Sequence, residues 1–270
     1  RTRASLISSG TDRLVTGFAN KSLIGKAASR PDLVKKVVAK ARRDGVTAAL
    51  RSAFARLDEP LPLGYSAAGV VEAVGAGLEG KFRVGQRVAV AGAGLANHAE
   101  VNLVPGNLAA PVPDDANDEE ACFGTLAAIA LHAVRNLGLS LGECGAVIGC
   151  GLVGQLAVRF LELSGVRAVA LDYDGARLAL ARYGGAELAL DLGAGDPSGA
   201  IFAATGGLGC DGVLIAAATE SSEPFELAAR IARDRARVCL VGLTGTEFSY
   251  RDYMQKDLAS GVPCSCGPGR

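Results

Sequence analysis

The run Ala146-Val147-Ile148-Gly149-Cys150-Gly151-Leu152-Val153-Gly154 constrains this chain more than any other stretch. An apolar strand-like run enters a Gly-x-Gly-x-x-Gly spacing, and residues with helical periodicity leave it. That order calls for a strand, a tight turn and a helix packed back against the strand. Each glycine has its own reason. Gly149 makes the turn, Gly151 lets a pyrophosphate approach the backbone, and Gly154 lets helix and strand touch. The helix N-terminus adds free N–H groups and its dipole. The next strand-like run ends in an acid, Asp172, near the ~20-residue offset of a ribose-binding carboxylate. A carboxylate there accepts from both ribose hydroxyls and repels a 2′-phosphate, so the pattern points to NAD before NADP. Arg177 blurs this choice, because an Arg nearby can lie over adenine or reach a phosphate. Leu152 and Val153 belong to the same loop, and Ala217, Val241 and Gly242 at later strand ends complete the expected cofactor contacts.

After Gly142 the pattern alternates between short apolar strands and amphipathic helices. The strands read as Gly145–Ile148, Arg167–Leu171, Leu188–Leu190, Gly212–Ala216 and Val238–Val241, with helices starting near Val153, Ala176, Pro197 and Glu223. Continuous apolar strands between helices imply a parallel sheet covered on both faces, a doubly wound α/β unit. The first half reads differently. Short β runs at Thr2–Ser8, Ala67–Val74, Arg87–Val90, Ala99–Val104 and Leu108–Val112 are punctuated by Gly and Pro, as in a small irregular β domain. A basic, two-helix insertion is expected over about residues 13–58, and a linking helix over residues 117–137. The expected domains are 1–113 and 114–270.

Composition removes several classes. Net charge is zero, 28 basic against 28 acidic residues, and aromatics are sparse in the basic block, so no nucleic-acid partner is expected. No apolar run reaches the ~18 residues a membrane helix needs. At 49% hydrophobic residues, the chain can bury a sizeable core. The seven cysteines include no Cys-x-x-Cys pair, so buried reduced thiols and a cytoplasmic setting are expected. The chain opens at Arg1 and its only Met is Met254, which suggests a piece of a longer protein. Val262 to Cys266 reads as an exposed edge strand, the basis for expecting a homodimer.

Four further segments carry a family resemblance. Leu63-Gly64-Tyr65-Ser66-Ala67-Ala68-Gly69-Val70-Val71-Glu72-Ala73-Val74-Gly75 resembles the G-H-E-x-x-G-x-V-x-x-V-G signature of medium-chain dehydrogenases/reductases. Val84-Gly85-Gln86-Arg87-Val88, Ala99-Glu100-Val101 with Pro105, and Ser140-Leu141-Gly142 resemble three more of that superfamily's segments, in the right order. The resemblance implies a GroES-like catalytic domain, then a Rossmann domain, with the active site between them. It also extends to a subgroup whose dehydrogenase half precedes a second domain of the glucose-fructose oxidoreductase type.

The departures from the family bear on mechanism. Its catalytic zinc ligands fall at positions that read Ser9, Tyr65 and Thr125, and neutral hydroxyls are poor zinc ligands. No zinc is therefore expected. Tyr65 becomes the expected hydrogen-bond donor to a developing alkoxide, with Ser9 beside it and Thr11 at the family's proton-relaying hydroxyl. His132, mid-helix, is expected to be structural, and His98 is left open. The leading reading is an NAD(H)-dependent, zinc-independent oxidoreductase acting on a small alcohol or carbonyl substrate, one of sugar origin included. The alternatives are a non-catalytic dinucleotide-binding scaffold or redox sensor, and a chlorophyllide-type dehydrogenase.

Overall fold

The computed structural model describes residues 1–8, 10, 12, 16 and 62–263. Apart from Thr16, the basic insertion expected over 13–58 lies outside the described residues. The chain divides into two compact units, Arg1–Phe123 and Gly124–Arg270, so the division falls past the expected boundary at 113.

The first unit is built on a four-stranded antiparallel sheet, β1 (Thr2–Ser5), β2 (Ser66–Val70), β3 (Arg87–Ala91) and β4 (Ala109–Pro111), in that spatial order. Ala67 and Ala68 of β2 are buried, and Gly69 lies so close to Arg1 that any side chain there would overlap the Arg1 carbonyl. The strand expected at Ala99–Val104 does not form. Asn102 explains this: its side chain donates to Thr2 Oγ1 and to Asn97 O, both at 3.0 Å, and accepts from Asn97 N. Those side-chain bonds compete with a ladder, and Pro105 cannot donate to one. Val101 and Leu103, apolar at strand spacing, stay largely exposed.

The linking helix is two helices. Helix α1 (Asp118–Ala121) opens on a capping box, with Asn117 and Glu120 bonding each other's backbone N–H. Helix α2 (Gly124–Leu137) begins at a glycine, a residue that weakens a helix interior by about 1 kcal/mol relative to Ala.

The second unit is a six-stranded parallel sheet. Its strands are β5 (Cys144–Ile148), β6 (Arg167–Asp172), β7 (Ala186–Asp191), β8 (Cys210–Ile215), β9 (Ala232–Leu240) and β10 (Ala259–Gly261), in the order β10-β9-β8-β5-β6-β7. Helices α3 (Leu152–Leu163), α4 (Gly175–Tyr183), α5 (Ser198–Ala204), α6 (Glu223–Ile231) and α7 (Tyr250–Gln255) complete it. Side chains alternate across the sheet. Val147 and Leu214 face one core with Ala133, Leu137, Val158 and Leu161 of α2 and α3. Val169, Leu171, Val213 and Ile215 face the other, with Ile201, Phe225 and Ile231. Burying each Leu or Ile of these layers contributes roughly 1.5–3 kcal/mol.

Two strands of this unit lie more than two residues from their expected bounds. The fifth sheet strand begins at Ala232, not Val238, because Arg235 adopts φ 59 in a bulge and Arg235 N donates to Lys256 O at 2.7 Å. The edge strand expected at Val262–Cys266 is instead β10, Ala259–Gly261. Val262 and Pro263 carry no strand, and Cys264–Cys266 lie outside the described residues.

Candidate functional site

The chain runs from β5 to β6 and β7 on one side of the sheet, then crosses to β8 on the other side of β5. The glycine loop leaves β5 at that switch point, where open α/β sheets bind ligands. Gly149 has φ +94, and a Cβ there would come within 2.7 Å of Ala217 N and Cα. Gly154 is closer still to the backbone, so any Cβ would overlap the Gly149 carbonyl oxygen. Gly151 is the opposite case. Nothing lies within 4 Å of the position its Cβ would take. Two glycines of the motif are therefore demanded by packing, and the middle one faces open space.

Helix α3 starts on Gly151 with no side-chain cap. By contrast, Asp174 caps α4 and Ser249 caps α7 through their side chains. Leu152 and Val153 form the first turn of α3, both half-buried. The free N–H groups of this turn make it a place for an anion.

Asp172 ends β6 with 7% of its surface exposed. Its Oδ2 accepts from Cys150 N at 2.6 Å and its Oδ1 from Asp174 N at 3.0 Å. Each carboxylate oxygen keeps a second lone pair for a hydroxyl. Arg177 lies alongside, Nη1 3.7 Å from Asp172 Oδ2 and Nε 3.7 Å from Asp174 Oδ2, with half its side chain in solvent. Gln155, which sequence reasoning passed over, ties the loop to α4: its Nε2 donates to Cys150 O at 2.9 Å and to Arg177 O at 2.8 Å. A polar residue in the first turn of the helix after the loop was the only sign of it.

The later strand ends close around Gly149. Leu243 N donates to Ala217 O at 3.1 Å, while Val241 N and Gly242 N both reach Ile215 O. A Cβ at Gly242 would overlap Ala217 O. Thr244, just beyond, has a buried hydroxyl with no partner among the described residues. The structure thus brings Gly149, Gly151, Gly154, Asp172, Arg177, Ala217, Val241 and Gly242 to one end of one sheet.

Cys150 sits inside this loop but is no nucleophile. Burial, and then the Asp172 charge, push its thiol up to about 12. The other described cysteines, 122, 144, 210 and 239, are also buried.

In the first unit, Tyr65 is half-buried at the bend before β2, and its carbonyl accepts from Gly92 N at 2.9 Å. Ser9 and Thr11 lie outside the described residues. Thr125, buried on α2, belongs to the second unit. Among the described residues no group of three or more His, Cys, Asp and Glu side chains gathers to hold a metal.

Residues 153–260 match the sequence family described as zinc-binding dehydrogenase. Galactitol-1-phosphate dehydrogenase from Escherichia coli superposes with a TM-score of 0.68 at 21% identity, over 75% of this chain and 67% of that one. The fold is that of the medium-chain dehydrogenases. A second neighbour of this dehydrogenase fold, the Escherichia coli quinone oxidoreductase complexed with NADPH, gives 0.68 at 21% identity, over 76% and 64%. In sequence, (R,R)-butanediol dehydrogenase of Bacillus subtilis is 30% identical over 130 residues. That match covers 39% of this chain and spans 37% of the relative's length. No described helix is long and apolar enough to cross a membrane.

Proposed function

We propose that the chain binds NAD(H), with NADP(H) the weaker partner, and takes part in hydride transfer between the cofactor and a small alcohol or carbonyl substrate. The observation that carries this reading is the open space at Gly151, set between two glycines that packing demands and beside the buried Asp172 carboxylate. A Gly-rich turn serving only to link strand to helix needs Gly149 and Gly154 and has no use for the third. The butanediol dehydrogenase relative and the quinone oxidoreductase neighbour complexed with NADPH support the same class of cofactor.

The residues present fit a dinucleotide. The Gly149–Gly154 loop and the α3 N-terminus would hold the pyrophosphate, Asp172 the adenosine ribose, and Ala217, Val241 and Gly242 the nicotinamide end. When bound, the cofactor supplies the hydride acceptor or donor. Against a buried carboxylate, a 2′-phosphate should bind on the order of tens-fold more weakly. Arg177 offsets part of that, since its half-exposed guanidinium lies 3.7 Å from Asp172 and would attract a phosphate there.

The described residues do not fit zinc, despite the family's description. Tyr65 and Thr125 offer hydroxyls where the resemblance puts two of the ligands, and zinc takes Cys, His and carboxylates. In the metal's place, Tyr65 would donate a hydrogen bond to the substrate oxygen as negative charge develops there, an interaction typically supplying ~3–4 kcal/mol when preorganised. The partner envisaged beyond the small molecule is a second copy of the chain.

Calorimetry with NADH and NADPH tests the cofactor half; equal or tighter NADPH binding would give control of the pocket to Arg177. For the chemistry, activity should survive a strong chelator and metal analysis should find no stoichiometric zinc. Tyr65→Phe should lower turnover by ~100-fold and leave NADH affinity unchanged. Stoichiometric zinc, or a fully active Tyr65→Phe protein, refutes the metal-free mechanism.

A further inference from the structure

At the end of the parallel sheet away from the glycine loop, two buried thiols meet. Cys144 opens β5, and Cys210 opens β8, its neighbour in the sheet. Their sulfurs lie 3.7 Å apart, Cys144 Sγ donating, and the two residues are 4% and 0% exposed. The β5–β8 ladder pairs Gly145 with Gly212 at its first step, so both cysteines stand ahead of it. Cys210 shares the core of Cys144, Val213 and Ile215, although strict alternation along β8 would put it on the opposite face. The pairing of β8 with β9 is irregular between Cys210 and Gly212, where that alternation breaks. Cys144 N donates to Asp211 Oδ2 at 2.7 Å, and Arg233 pairs with the same carboxylate. The backbone that carries the two sulfurs is therefore tied down on both strands.

The two thiols are chemically unequal. Once Cys144 ionises, the Cys210 thiol donates to it; that bond, with the Arg167 charge, holds Cys144 below the ordinary thiol value against burial and the Asp211 and Glu187 charges. Cys210, the donor of the pair and the more deeply buried, is pushed up. Both sulfurs sit just inside the surface. Leu141 and Gly142, before Cys144, are exposed, as are Gly206, Gly207 and Leu208 before Cys210. Local opening of these turns admits a molecule little larger than water and excludes bulky reagents. We propose that Cys144 and Cys210 are a modification site, a dithiol that hydrogen peroxide converts to a reversible disulfide joining β5 to β8. The Cys144 thiolate attacks one peroxide oxygen and the O–O bond breaks. The hydroxide that leaves becomes water by taking up the proton Cys144 gave to solvent, and Cys144 is left as a sulfenic acid. The Cys210 sulfur then attacks the Cys144 sulfur. The S–S bond forms, the S–O bond breaks, and the second hydroxide leaves as water with the Cys210 proton. The thiols lose two electrons and the peroxide gains them. Sulfurs 3.7 Å apart need close by less than about 2 Å to bond. An added dithiol reverses the bond by exchange.

The test uses the intact protein, reduced with dithiothreitol, freed of it and treated with a small excess of hydrogen peroxide. Remaining thiols are blocked with N-ethylmaleimide in denaturant, and peptides are mapped without reduction. Met254, the only methionine and well exposed, is the internal control, since its sulfoxide shows that the peroxide acted. The expected product is a linked peptide pair carrying Cys144 and Cys210, lighter by two hydrogens and separated again by dithiothreitol. Fragmentation distinguishes Cys144 from Cys150, which shares its tryptic peptide. The oxidised protein should melt roughly 5–15 °C above the reduced one, because the bond ties positions 66 apart in the chain. Cys210→Ala should stop at a sulfenic acid on Cys144, trapped by dimedone added with the denaturant, and Cys144→Ala should leave Cys210 a free thiol. Neither variant should show the rise in Tm. The wild-type map needs no variant. Cys144 and Cys210 both recovered as maleimide adducts from protein whose Met254 is oxidised, or either one bridged to another cysteine instead, overturns the proposal.

Discussion

Replacing Gly151 and Gly154 by alanine, one at a time, separates what the loop needs for packing from what it needs for a ligand. At Gly154 the new methyl group would overlap the Gly149 carbonyl, and a backbone oxygen cannot rotate away as a side chain can. Helix α3 must then lift off the end of β5. Overpacking of this kind costs typically 1–3 kcal/mol, and the upper end applies because Val147 and Val158 in the same layer are fully buried. For a unit of this size ~3 kcal/mol lowers Tm by about 6–12 °C. At Gly151 the backbone has φ −72 and ψ −166, ordinary for alanine, and its Cβ would meet nothing. Stability should stay within ~0.5 kcal/mol of wild type, or rise slightly through a less disordered unfolded chain. The methyl group would nevertheless stand where the proposed cofactor's pyrophosphate would approach. NADH affinity should fall at least ~10-fold, about 1.4 kcal/mol. Thermal melts and calorimetry on both variants give the comparison. A Gly151→Ala protein that binds NADH like the wild type would refute the assignment of this loop to the cofactor. A Gly154→Ala protein that melts at the wild-type temperature would refute the packing argument.

Other consequences follow from burial and charge. Cys150 and Cys239 should resist alkylation in the folded protein, since burial pushes their thiols up to about 12 and about 11 and leaves very little thiolate near neutrality; peptide mapping after iodoacetamide checks this, and rapid native labelling of Cys150 would count against its burial. Arg167 beside Glu187, with bonds of 2.7 and 2.6 Å, holds that carboxyl below its ordinary value of 4.5. The unfolded chain therefore takes up the proton first as pH falls, so the pair's contribution is complete above the ordinary value and is lost as pH drops through the lowered one. Both side chains are well exposed, so the loss stays under ~1 kcal/mol, and Glu187→Gln should flatten the stability profile on the acid side of pH 5. The exposed β10 edge should pair with a second copy, and light scattering that finds a monomer at high concentration refutes the dimer.

Much of the second unit was legible because its information is local. The residues from 146 to 154 carry the strand, the turn and the helix start in one stretch, and Asp172 follows at the end of the next strand. Parallel strands buried on both faces read as unbroken apolar runs, so β5, β6 and β8 were found nearly to the residue. Where charge interrupts the run, as in Arg233, Asp234 and Arg235, the strand was read too short, because only the bulge lets those side chains reach solvent while the backbone continues its ladder. The strand expected at Ala99–Val104 failed for a related reason: alternating apolar residues promise a strand, but the side-chain bonds of Asn102 to Thr2 and Asn97 are made in three dimensions.

By itself the sequence determined which backbone positions must be glycine and where a carboxylate ends a strand, since these depend on local conformation and spacing. It gave each glycine of the loop a separate role but not the atoms that enforce it. Only the tertiary structure shows that Gly149 is pinned by Ala217 and Gly154 by the Gly149 carbonyl, while Gly151 meets nothing. Nor could it place His98 beside Ser5. Ser5 and His98 are far apart in sequence, and their meeting is set by β1 lying against β2 and by the Leu63–His98 backbone bond. Long-range side-chain geometry of that kind leaves no periodic trace in the chain, because it is fixed by which strands pair and not by what each segment prefers alone.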